Sequence, residues 1–444
     1  MSGQIKRPLL VGEIFVDFTI TPGTAENKMR LGGVTHAARG FQASDTKFDA
    51  AVFLPSYLED IAADFFKKLG CEKFIVLGHV NGAPNVIVVL DPTEVDDQGY
   101  DMILHKMKSI AWTSQIEPLG HYQDALIFPG KYELSRISDL LPPNTKIHID
   151  VAYDVESVAA LNVIRQPIET IILSTSSPLF KSVFRATLSQ LAEEFRPLKP
   201  VTFILKENRG GSRLYNYSTK ETSAAPAQLS ETINSVGVGD VFDAIYLRYY
   251  THDRIEALWR AGAAASSYAH TTEPSLLQAY IKRNSLLSID ELRELGGTFM
   301  AWEARKAISI YLAAPDFSRA DRRAIERAAS ALNYHNFMVR RPVQENGELP
   351  PDSDLLTLAN TYRKDVDLLK ECQLVFAVPT ERDPGTLVEI GLAIEMNIPV
   401  VVYDPAGECG NTMVIAGSDC YSTDLDACLN ATFAALGKVR SKND

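Results

Sequence analysis

The sequence has little of what marks secreted, membrane and metal-cluster proteins. It contains five cysteines in 444 residues and no Cys-x-x-Cys pair, which argues against a disulfide framework or zinc site and favours a reducing compartment. No apolar run approaches the roughly 20 residues of a membrane span. The amino terminus, MSGQIKRPLLVG, lacks a signal-peptide pattern. We therefore expect a cytoplasmic protein with no membrane partner.

Positive charge is also in deficit. Lysine and arginine total 44 against 56 aspartates and glutamates, which gives a formal net charge of -12. Proteins that bind nucleic acids or anionic membranes present basic surfaces, so we expect small-molecule chemistry and no nucleic-acid partner. Hydrophobic residues make up 46% of the chain and charged residues 23%, as in globular proteins with sizeable cores. The length predicts two or three domains.

Short apolar runs with strand character alternate with helical patterns along most of the chain. This alternation predicts an α/β fold, in which helices cover the faces of a sheet. The rhythm stops over residues 286–305 and restarts with the strand-like run AISIYLAAP. We therefore predict a first domain over residues 1–285, a linker over 286–305, and a smaller flavodoxin-like or Rossmann-like domain with a parallel sheet over 306–444.

The stretch PTERDPGTLVEIGLAIE, residues 379–395, allows two interpretations of Glu389. Thr386 and Glu389 match the spacing of a capping box, in which both residues serve the helix start. However, the helix follows the strand QLVFAVP, and open α/β sheets bind ligands at the carboxyl edge of their strands. The helix dipole would keep a carboxylate ionised there, and Asp383 and Asp365 add further acids to the same place. We interpret Glu389 as a nucleophile that can also cap the helix in an empty site.

Four segments of the second domain together resemble the nucleoside 2-deoxyribosyltransferase family over residues 306–420. They are YLAAPDF (311–317), TYRKD (361–365), DPGTLVEIGLA (383–393) and GNTMV (410–414). The resemblance implies that Glu389 is the nucleophile and that Asp365 and Asp383 hold the sugar and assist at the base. It also implies substrate-binding roles for Gly385, Thr386, Asn411 and Tyr311, and it places Tyr311 near the nucleophile. The family's asparagine is lent by a neighbouring subunit, which implies a homo-oligomer, and this domain would need no cofactor.

The chemistry of the N-glycosidic bond agrees with that assignment. Its cleavage passes through an oxocarbenium-like state, which an adjacent carboxylate can stabilise and capture covalently. Either water or a second nucleobase could then attack, and the sequence leaves this choice open. Relatives that hydrolyse nucleoside monophosphates hold the phosphate after the first strands, where this chain has Ser318, Arg319, Arg340 and Arg341. For each of these four residues alone, an ordinary solvated position is the simpler interpretation.

In the first domain, NSVGVGDVFDAIY (234–246) places a Gly-x-Gly-Asp segment at the start of a helix. Such a start offers backbone amides to a phosphate and an acid to an attacking hydroxyl. With VGEIFVDFTI, LGG (31–33) and KENRGGSRLY (206–215), the segment resembles the ribokinase-like (PfkB) kinases over residues 6–285. The resemblance implies a three-layer α/β domain, ATP and Mg²⁺ as cofactors, and a sugar or nucleoside substrate. By the same resemblance Asp240 is the catalytic base, the anion or nucleotide contacts are Gly237, Gly239, Lys206 and Gly211, and the sugar contacts are Asp17, Gly32 and Gly33.

The first domain also departs from the kinase pattern. Asn234 stands where the family has an acid, Ala37 where it has an asparagine, and Ser174–Ser177 where it has the Asn-x-x-Glu motif that organises magnesium. Loss of that carboxylate should weaken phosphoryl transfer from a triphosphate. An active kinase and a non-catalytic binding domain both remain open, and no protein-held metal is predicted.

These observations predict an enzyme that cleaves or exchanges the glycosidic bond of (deoxy)nucleosides or their monophosphates. Its first domain would bind, and in one version phosphorylate, a related nucleoside or pentose. The alternative is a nucleotide or nucleoside sensor in which a non-catalytic kinase-like domain gates the glycosidase. A purely structural partner protein is a third hypothesis, disfavoured by the reactive pattern of Asp365, Asp383 and Glu389.

Overall fold

The computed structural model describes residues 6–20, 27–350 and 352–441. The chain forms two compact units: the first runs to residue 299 without 94–97 and 229–231, and the second comprises those two stretches and residues from 300 onward. In the described part of the chain, no helix is long and apolar enough to cross a membrane.

The first unit alternates strands and helices as the sequence predicts. Its strands are β1 (Leu9–Thr19), β2 (Lys28–Gly33), β3 (Phe48–Leu54), β4 (Cys71–Asn81), β5 (Val86–Val89), β6 (Asp101–Met102), β7 (Ser109–Trp112), β8 (Asp124–Ile127), β9 (Lys146–Asp150), β10 (Ile168–Ser174), β11 (Thr202–Lys206), β12 (Ser212–Asn216) and β13 (Thr222–Ala225). Its helices are α1 (Thr35–Ala43), α2 (Glu59–Lys68), α3 (Leu134–Leu140), α4 (Pro178–Val183), α5 (Leu188–Phe195), α6 (Val238–Tyr249), α7 (Arg254–His270), α8 (Pro274–Leu286) and α9 (Ile289–Glu294).

The main sheet of the first unit has the strand order β13-β12-β11-β10-β9-β8-β1-β3-β4-β7. The strands from β11 to β4 in this order are parallel, and antiparallel strands lie at both ends. β1 continues past this sheet, and its second half pairs with β2 and β5 in a small additional sheet. Asp17 therefore lies in the half of β1 that pairs with β2 and β5, outside the main sheet.

Helices pack on both faces of the main sheet, which confirms the expected three-layer α/β architecture. On one face, α1 and α6 approach closely because Gly40 lies against Ala244 and Val241. On the other face, α5 packs through Phe195 on Phe203 of β11, with ring centroids 5.1 Å apart. The alternation of side chains along a strand places Phe203 opposite to its neighbour Ile204, which belongs to the α1–α6 core.

The second unit has five strands with connecting helices. Its elements are α10 (Trp302–Arg305), β14 (Ser309–Ala313), α11 (Arg323–Tyr334), β15 (Met338–Arg340), α12 (Pro342–Asn346), α13 (Leu355–Glu371), β16 (Leu374–Ala377), α14 (Pro384–Glu395), β17 (Val400–Tyr403), α15 (Thr412–Gly417), β18 (Cys420–Ser422) and α16 (Leu425–Ser441). The strand order is β15-β14-β16-β17-β18 and every pairing is parallel. This confirms the expected flavodoxin-like parallel sheet.

The alternation along β14 decides which side chains reach the candidate site. Ile310 and Leu312 pack into the core on the face of α11 and α16. Tyr311 and Ala313 face the other core, with side chains from α13 and α14. The strand order reverses between β14 and β16, and such switch points leave a crevice at the carboxyl ends of the strands. Tyr311, α13 and α14 therefore share one face beside this crevice.

Candidate active site

Glu389 and Tyr311 form the central contact of the second unit's site. The Tyr311 hydroxyl donates to Glu389 Oε1 at 2.5 Å. Tyr311 is fully buried in β14, whereas Glu389 on α14 is half-buried. One oxygen of the carboxylate is thus held by a rigid partner, and the bond is of the short type made by charged acceptors. The prediction that Tyr311 lies beside Glu389 matches this contact.

The start of α14 differs from the sequence interpretation. Thr386 does not cap the helix and Glu389 makes no capping box: the N-cap is Asp383, whose Oδ2 accepts from the Thr386 amide at 2.7 Å and the Thr386 hydroxyl at 2.8 Å. Pro384 occupies the first helical position, where its fixed φ and missing N–H are favourable, and this moves the cap to the residue before it. Glu389 consequently lies in the second turn, where it serves no capping role.

The protonation of Glu389 is also not as the helix dipole suggested. Burial raises its pKa to about 7; the Tyr311 hydrogen bond opposes the rise, and the nearby charges of Asp365 and Asp383 add to it. The dipole acts mainly within the first turn, and Glu389 lies beyond it. The expectation of a firmly ionised carboxylate was therefore wrong, because Glu389 changes protonation state near neutral pH.

Asp365 reaches the same cluster from α13. Its Oδ1 accepts from the Asn346 side-chain amide at 2.7 Å. Burial raises the pKa of Asp365, and Asn346 and Lys364 oppose this rise. Asp365 and Asp383 both act electrostatically on Glu389, so the structure brings the three predicted acids together. Asn346 gave no signal in the sequence, because its partner lies on another helix.

The side-chain hydrogen bond of Asn411 is made within α15 and not to this cluster. It is exposed and caps α15, and its side-chain oxygen accepts from the Met413 amide at 2.9 Å. Gly385 is exposed in the first turn of α14, and Thr386 is buried with its hydroxyl on Asp383. Among the described residues, no hydrogen bond links Asn411 to Glu389, Tyr311 or Asp365.

The basic residues considered for a phosphate are engaged by acids. Arg340 bonds Glu345 at 2.6 Å, and Arg341 bonds Asp316 at 2.7 Å. The Ser318 amide donates to a carboxylate oxygen of Glu348 at 3.0 Å. These contacts favour a structural role for the arginine pair, and they give no support to a phosphate-holding role for Arg340 and Arg341.

In the first unit, the Gly-x-Gly-Asp segment lies at the start of α6, as predicted. Gly237 is the N-cap with φ +83°, a conformation that favours glycine, and a Cβ there would lie 2.1 Å from the His36 ring. The first amides of a helix have no partner within it. The Val238 amide donates to the Ser235 carbonyl at 3.1 Å, so the amides of Gly239 and Asp240 are the ones that present the expected anion-binding backbone. Burial raises the pKa of Asp240 to about 8, with Asp150 adding to the rise and Lys206 opposing it.

Lys206 has a different environment from the one predicted. Its ammonium donates to Asp150 at 2.7 Å, to Asp243 at 3.0 Å and to the Gly239 carbonyl at 3.3 Å. A lysine ammonium has three donors, so these contacts use all of them and leave none for a nucleotide phosphate. Lys206 therefore holds the Gly-x-Gly-Asp segment in place through the Gly239 carbonyl. Asp150 was not among the predicted site residues, although its place at the end of the strand KIHID is a signal for the carboxyl edge of the sheet.

A bound cation would have to compete with this lysine. Carboxylate oxygens of Asp150, Asp240 and Asp243 lie within 4.8 Å of one another, close enough for a divalent ion. However, Lys206 already bridges two of the three. The serine run does not replace the missing metal-organising acid: Ser177 caps α4 by accepting from the Phe180 amide, and Ser174 bonds Ser176. These residues fit the Mg²⁺ of the resembled kinases poorly.

Asp17 is already engaged within the protein. It accepts from His36 Nε2 at 2.8 Å and lies 3.5 Å from the Arg30 guanidinium. Burial would raise its pKa, but His36, Arg30 and Arg39 together lower it. Gly32 is required beside it, since a Cβ there would lie 1.9 Å from Asp17 Oδ1.

The other two predicted glycines lie at the end of a strand and in a turn. Gly33 ends β2, and Gly211 lies in the turn between β11 and β12. A Cβ on Gly211 would meet the Ala225 carbonyl at 2.4 Å, so this glycine serves the close packing of its turn. Asn234 orders the loop before α6, because its side-chain oxygen accepts from the Val236 amide at 2.9 Å and from Arg30 at 3.1 Å.

Comparisons with known proteins separate the two parts of the chain. Residues 310–428 match the model of the nucleoside 2-deoxyribosyltransferase family, which confirms the resemblance drawn from the motifs of the second domain. No match was found among curated proteins.

Solved structures align with 64% of the chain. They include a Methanocaldococcus jannaschii nucleoside kinase of the ribokinase family (14% identity, TM-score 0.46, 64% of this chain and 100% of that chain). They also include ribokinases from Giardia lamblia (13%, 0.48, 64% and 100%) and Thermotoga maritima (15%, 0.46, 64% and 100%). At this similarity, a proposal on the first unit has to rest on its own residues.

Proposed function

We propose that the second unit cleaves or transfers the N-glycosidic bond of (deoxy)nucleosides or nucleoside monophosphates, with Glu389 as the nucleophile. The observation that carries this proposal is the Tyr311–Glu389 contact beside the switch-point crevice, with Asp365 and Asp383 close enough to shift the pKa of Glu389. These residues lie within the stretch that matches the nucleoside 2-deoxyribosyltransferase family. A structural carboxylate would not need three acidic and phenolic neighbours.

The reaction would proceed by double displacement. Tyr311 holds Glu389 Oε1, and Oε2 attacks C1′ as the C1′–N bond breaks and its electron pair leaves with the base. The departing base takes a proton from Asp365 or Asp383 in its acid form. The glycosyl ester is then attacked at C1′ by a nitrogen of a second base or by water. This attack releases the Glu389 carboxylate and returns the proton to the acid, and two inversions give retention.

Product analysis tests this function and distinguishes its versions. The protein is incubated with mixed deoxynucleosides and a foreign base, with and without Mg-ATP, and the products are identified by mass spectrometry. We expect release of free base, or a new nucleoside that carries the foreign base. Appearance of the new nucleoside identifies transfer, and free sugar identifies hydrolysis. Unchanged substrates in every mixture, with ribonucleosides and monophosphates included, would contradict the proposal.

We further propose that the second unit works as a homo-oligomer in which a neighbouring copy supplies Asn411. Asn411 is exposed and close in sequence to two exposed apolar side chains, Met413 (79% exposed) and Ile415 (47%). The outer face of α13 carries more, with Leu355 84% and Leu356 69% exposed. Apolar surface of this kind is typical of a protein–protein contact, and a symmetric contact would give each copy the same site.

Mixing two inactive variants tests the shared site. Glu389→Ala and Asn411→Ala should each lose activity alone, whereas an equal mixture after subunit exchange should recover about a quarter of wild-type activity in a dimer. In that mixture about half of the dimers are mixed, and each has one intact site. The control replaces the Glu389→Ala partner by a protein with both changes, which cannot complete any site. Equal activity in the test and control mixtures would show that a neighbouring copy does not supply Asn411.

For the first unit, we propose that it binds a pentose or nucleoside at the start of α6. The amides of Gly239 and Asp240 at the start of α6 and the acid Asp240 support an ATP-dependent kinase. The capping role of Ser177 and the occupied ammonium of Lys206 support a binding domain that senses nucleosides or nucleotides and gates the glycosidase. The Mg-ATP arm of the product analysis separates them, because only the kinase yields a phosphorylated product.

A further inference from the structure

Asn346 is the last residue of α12 and contacts the candidate site without belonging to any of the recognised motifs. Its side-chain amide donates to Asp365 Oδ1 at 2.7 Å. Asp365 lies on α13, which is a different helix, and it makes no other hydrogen bond among the described residues. Asn346 is therefore the group that determines where one oxygen of this carboxylate lies.

The helix that carries Asn346 is itself fixed to α13. Arg340, at the end of β15, bonds Glu345 of α12 through Nη2 at 2.6 Å and through Nε at 2.9 Å. The same guanidinium lies 3.5 Å from Glu371 at the end of α13. A bidentate arginine–carboxylate pair restricts orientation as well as distance. Arg340 thus ties α12 to α13, and Asn346 makes a second tie between the same two helices.

These two ties have a consequence for Asp365. A half-buried aspartate on a helix can take several rotamers, and catalytic geometry requires that one of them be selected. The amide of Asn346 selects the rotamer in which Oδ1 points at α12. Oδ2 is then the oxygen left to accept a hydrogen bond from a ligand.

We propose that Asn346 is a positioning residue, which holds Asp365 so that its second oxygen receives a sugar hydroxyl of the substrate. This proposal rests on the proposed glycosyl chemistry at Glu389. It also gives Arg340 a role that needs no phosphate: the arginine keeps α12, and with it Asn346, in register with α13.

The first test is Asn346→Ala, measured as separate kcat and KM for a deoxynucleoside. We expect KM to rise about tenfold or more, the effect of losing a hydrogen bond that involves a charged group, with kcat changed less. An unchanged Tm shows that folding is intact. KM and kcat both within about twofold of wild type would overturn the proposal.

The second test, Asn346→Asp, keeps the size of the side chain and replaces the donor by an acid. Asp365 is influenced by Lys364 on its own helix and interacts with Glu389 and Tyr311 across the site. At about pH 8 two carboxylates would repel and Asp365 would move, whereas at about pH 5 a shared proton restores a hydrogen bond. The activity of this variant relative to wild type at the same pH should therefore rise as the pH falls. A constant ratio would count against the proposal.

Asn360→Asp is the matched control, because Asn360 is exposed on α13 and the change adds the same charge there. It should leave KM and the pH profile unchanged. If wild-type protein releases no base at all, the glycosyl function fails, and NMR titration of the Asp365 carboxyl still tests the positioning. Asn346→Ala should then raise the pKa of Asp365, since a donor to the ionised form is lost. No change in that pKa would overturn the inference.

Discussion

Replacing Glu389 by glutamine should lower base release by at least about 10⁴-fold, the scale on which covalent catalysts lose activity when a key member is removed. The amide keeps the size of the side chain and can still accept from the Tyr311 hydroxyl. It cannot, however, form a glycosyl ester, because its oxygen is a poor nucleophile and its nitrogen lone pair is delocalised. Initial rates of base release for the variant and wild type provide the measurement.

Glu395→Gln is the matched control for this experiment. Glu395 ends the same helix and is exposed, so the substitution removes the same charge from α14 without touching the site. It should retain wild-type rates. Turnover by Glu389→Gln close to that of Glu395→Gln would show that Glu389 is not the nucleophile. Trapping of a covalent sugar on wild-type protein, and not on Glu389→Gln, would locate the bond directly.

Base release by wild-type protein should increase about fiftyfold between about pH 5 and pH 7, as the proposed nucleophile ionises. The pKa of Glu389 is raised to about 7, and only the deprotonated carboxylate attacks C1′. Below this pKa the reactive fraction falls about tenfold for each pH unit. The measurement is the first-turnover rate against pH, which reports chemistry separately from product release.

Tyr311→Phe identifies the group responsible for that profile. The Tyr311 hydrogen bond lowers the pKa of Glu389, so its removal should move the rise in rate to higher pH and slow the reaction at pH 7. Tyr403→Phe is the control, since Tyr403 is also buried but faces the core on the opposite side of the sheet. A profile that does not move in Tyr311→Phe would assign the titration to another acid.

The second domain was the more predictable one because its information is local. The runs that form β14 and β16 are short, apolar and fully or nearly fully buried, and period and turn residues suffice to recognise them. Glu389, Asp365 and Asp383 could be named together because each follows a strand or lies on a helix next to the switch point. The resemblance to a known family then supplied their roles.

Errors arose where tertiary contacts override local spacing. Thr386 and Glu389 fit a capping box by spacing, but Asp383 with Pro384 makes the better helix start. The ionised Glu389 was expected from the dipole, whereas burial, which sequence does not report, has the larger effect on its pKa. Asn346 could not be found at all, since its contact with the site is one hydrogen bond to another helix.

In the first domain, too, the hydrogen-bond partners of the motif residues lie on other elements and cannot be found from local sequence. Lys206 was expected to contact an anion. Its ammonium instead bonds Asp150 of β9, Asp243 of α6 and the Gly239 carbonyl, and this arrangement depends on how β9 and α6 pack in the folded chain. Asp17 was named as a sugar contact, but its bond to His36 could not be predicted. The sequence motifs contain Lys206 and Asp17, but their hydrogen-bond partners lie on other elements and could not be named from the sequence.

The half-buried carboxylate of Glu389 also has a thermodynamic consequence. Its pKa is about 7 in the folded protein against an ordinary 4.5, so unfolding releases a proton between these values and ionisation favours the unfolded chain. Below about pH 4.5, Glu389 is protonated in both states and does not destabilise the folded protein. As the pH rises through 7, this group lowers the free energy of unfolding by about 3 kcal/mol. The proposed nucleophile is therefore a source of instability at the near-neutral pH at which the rate of base release is expected to rise.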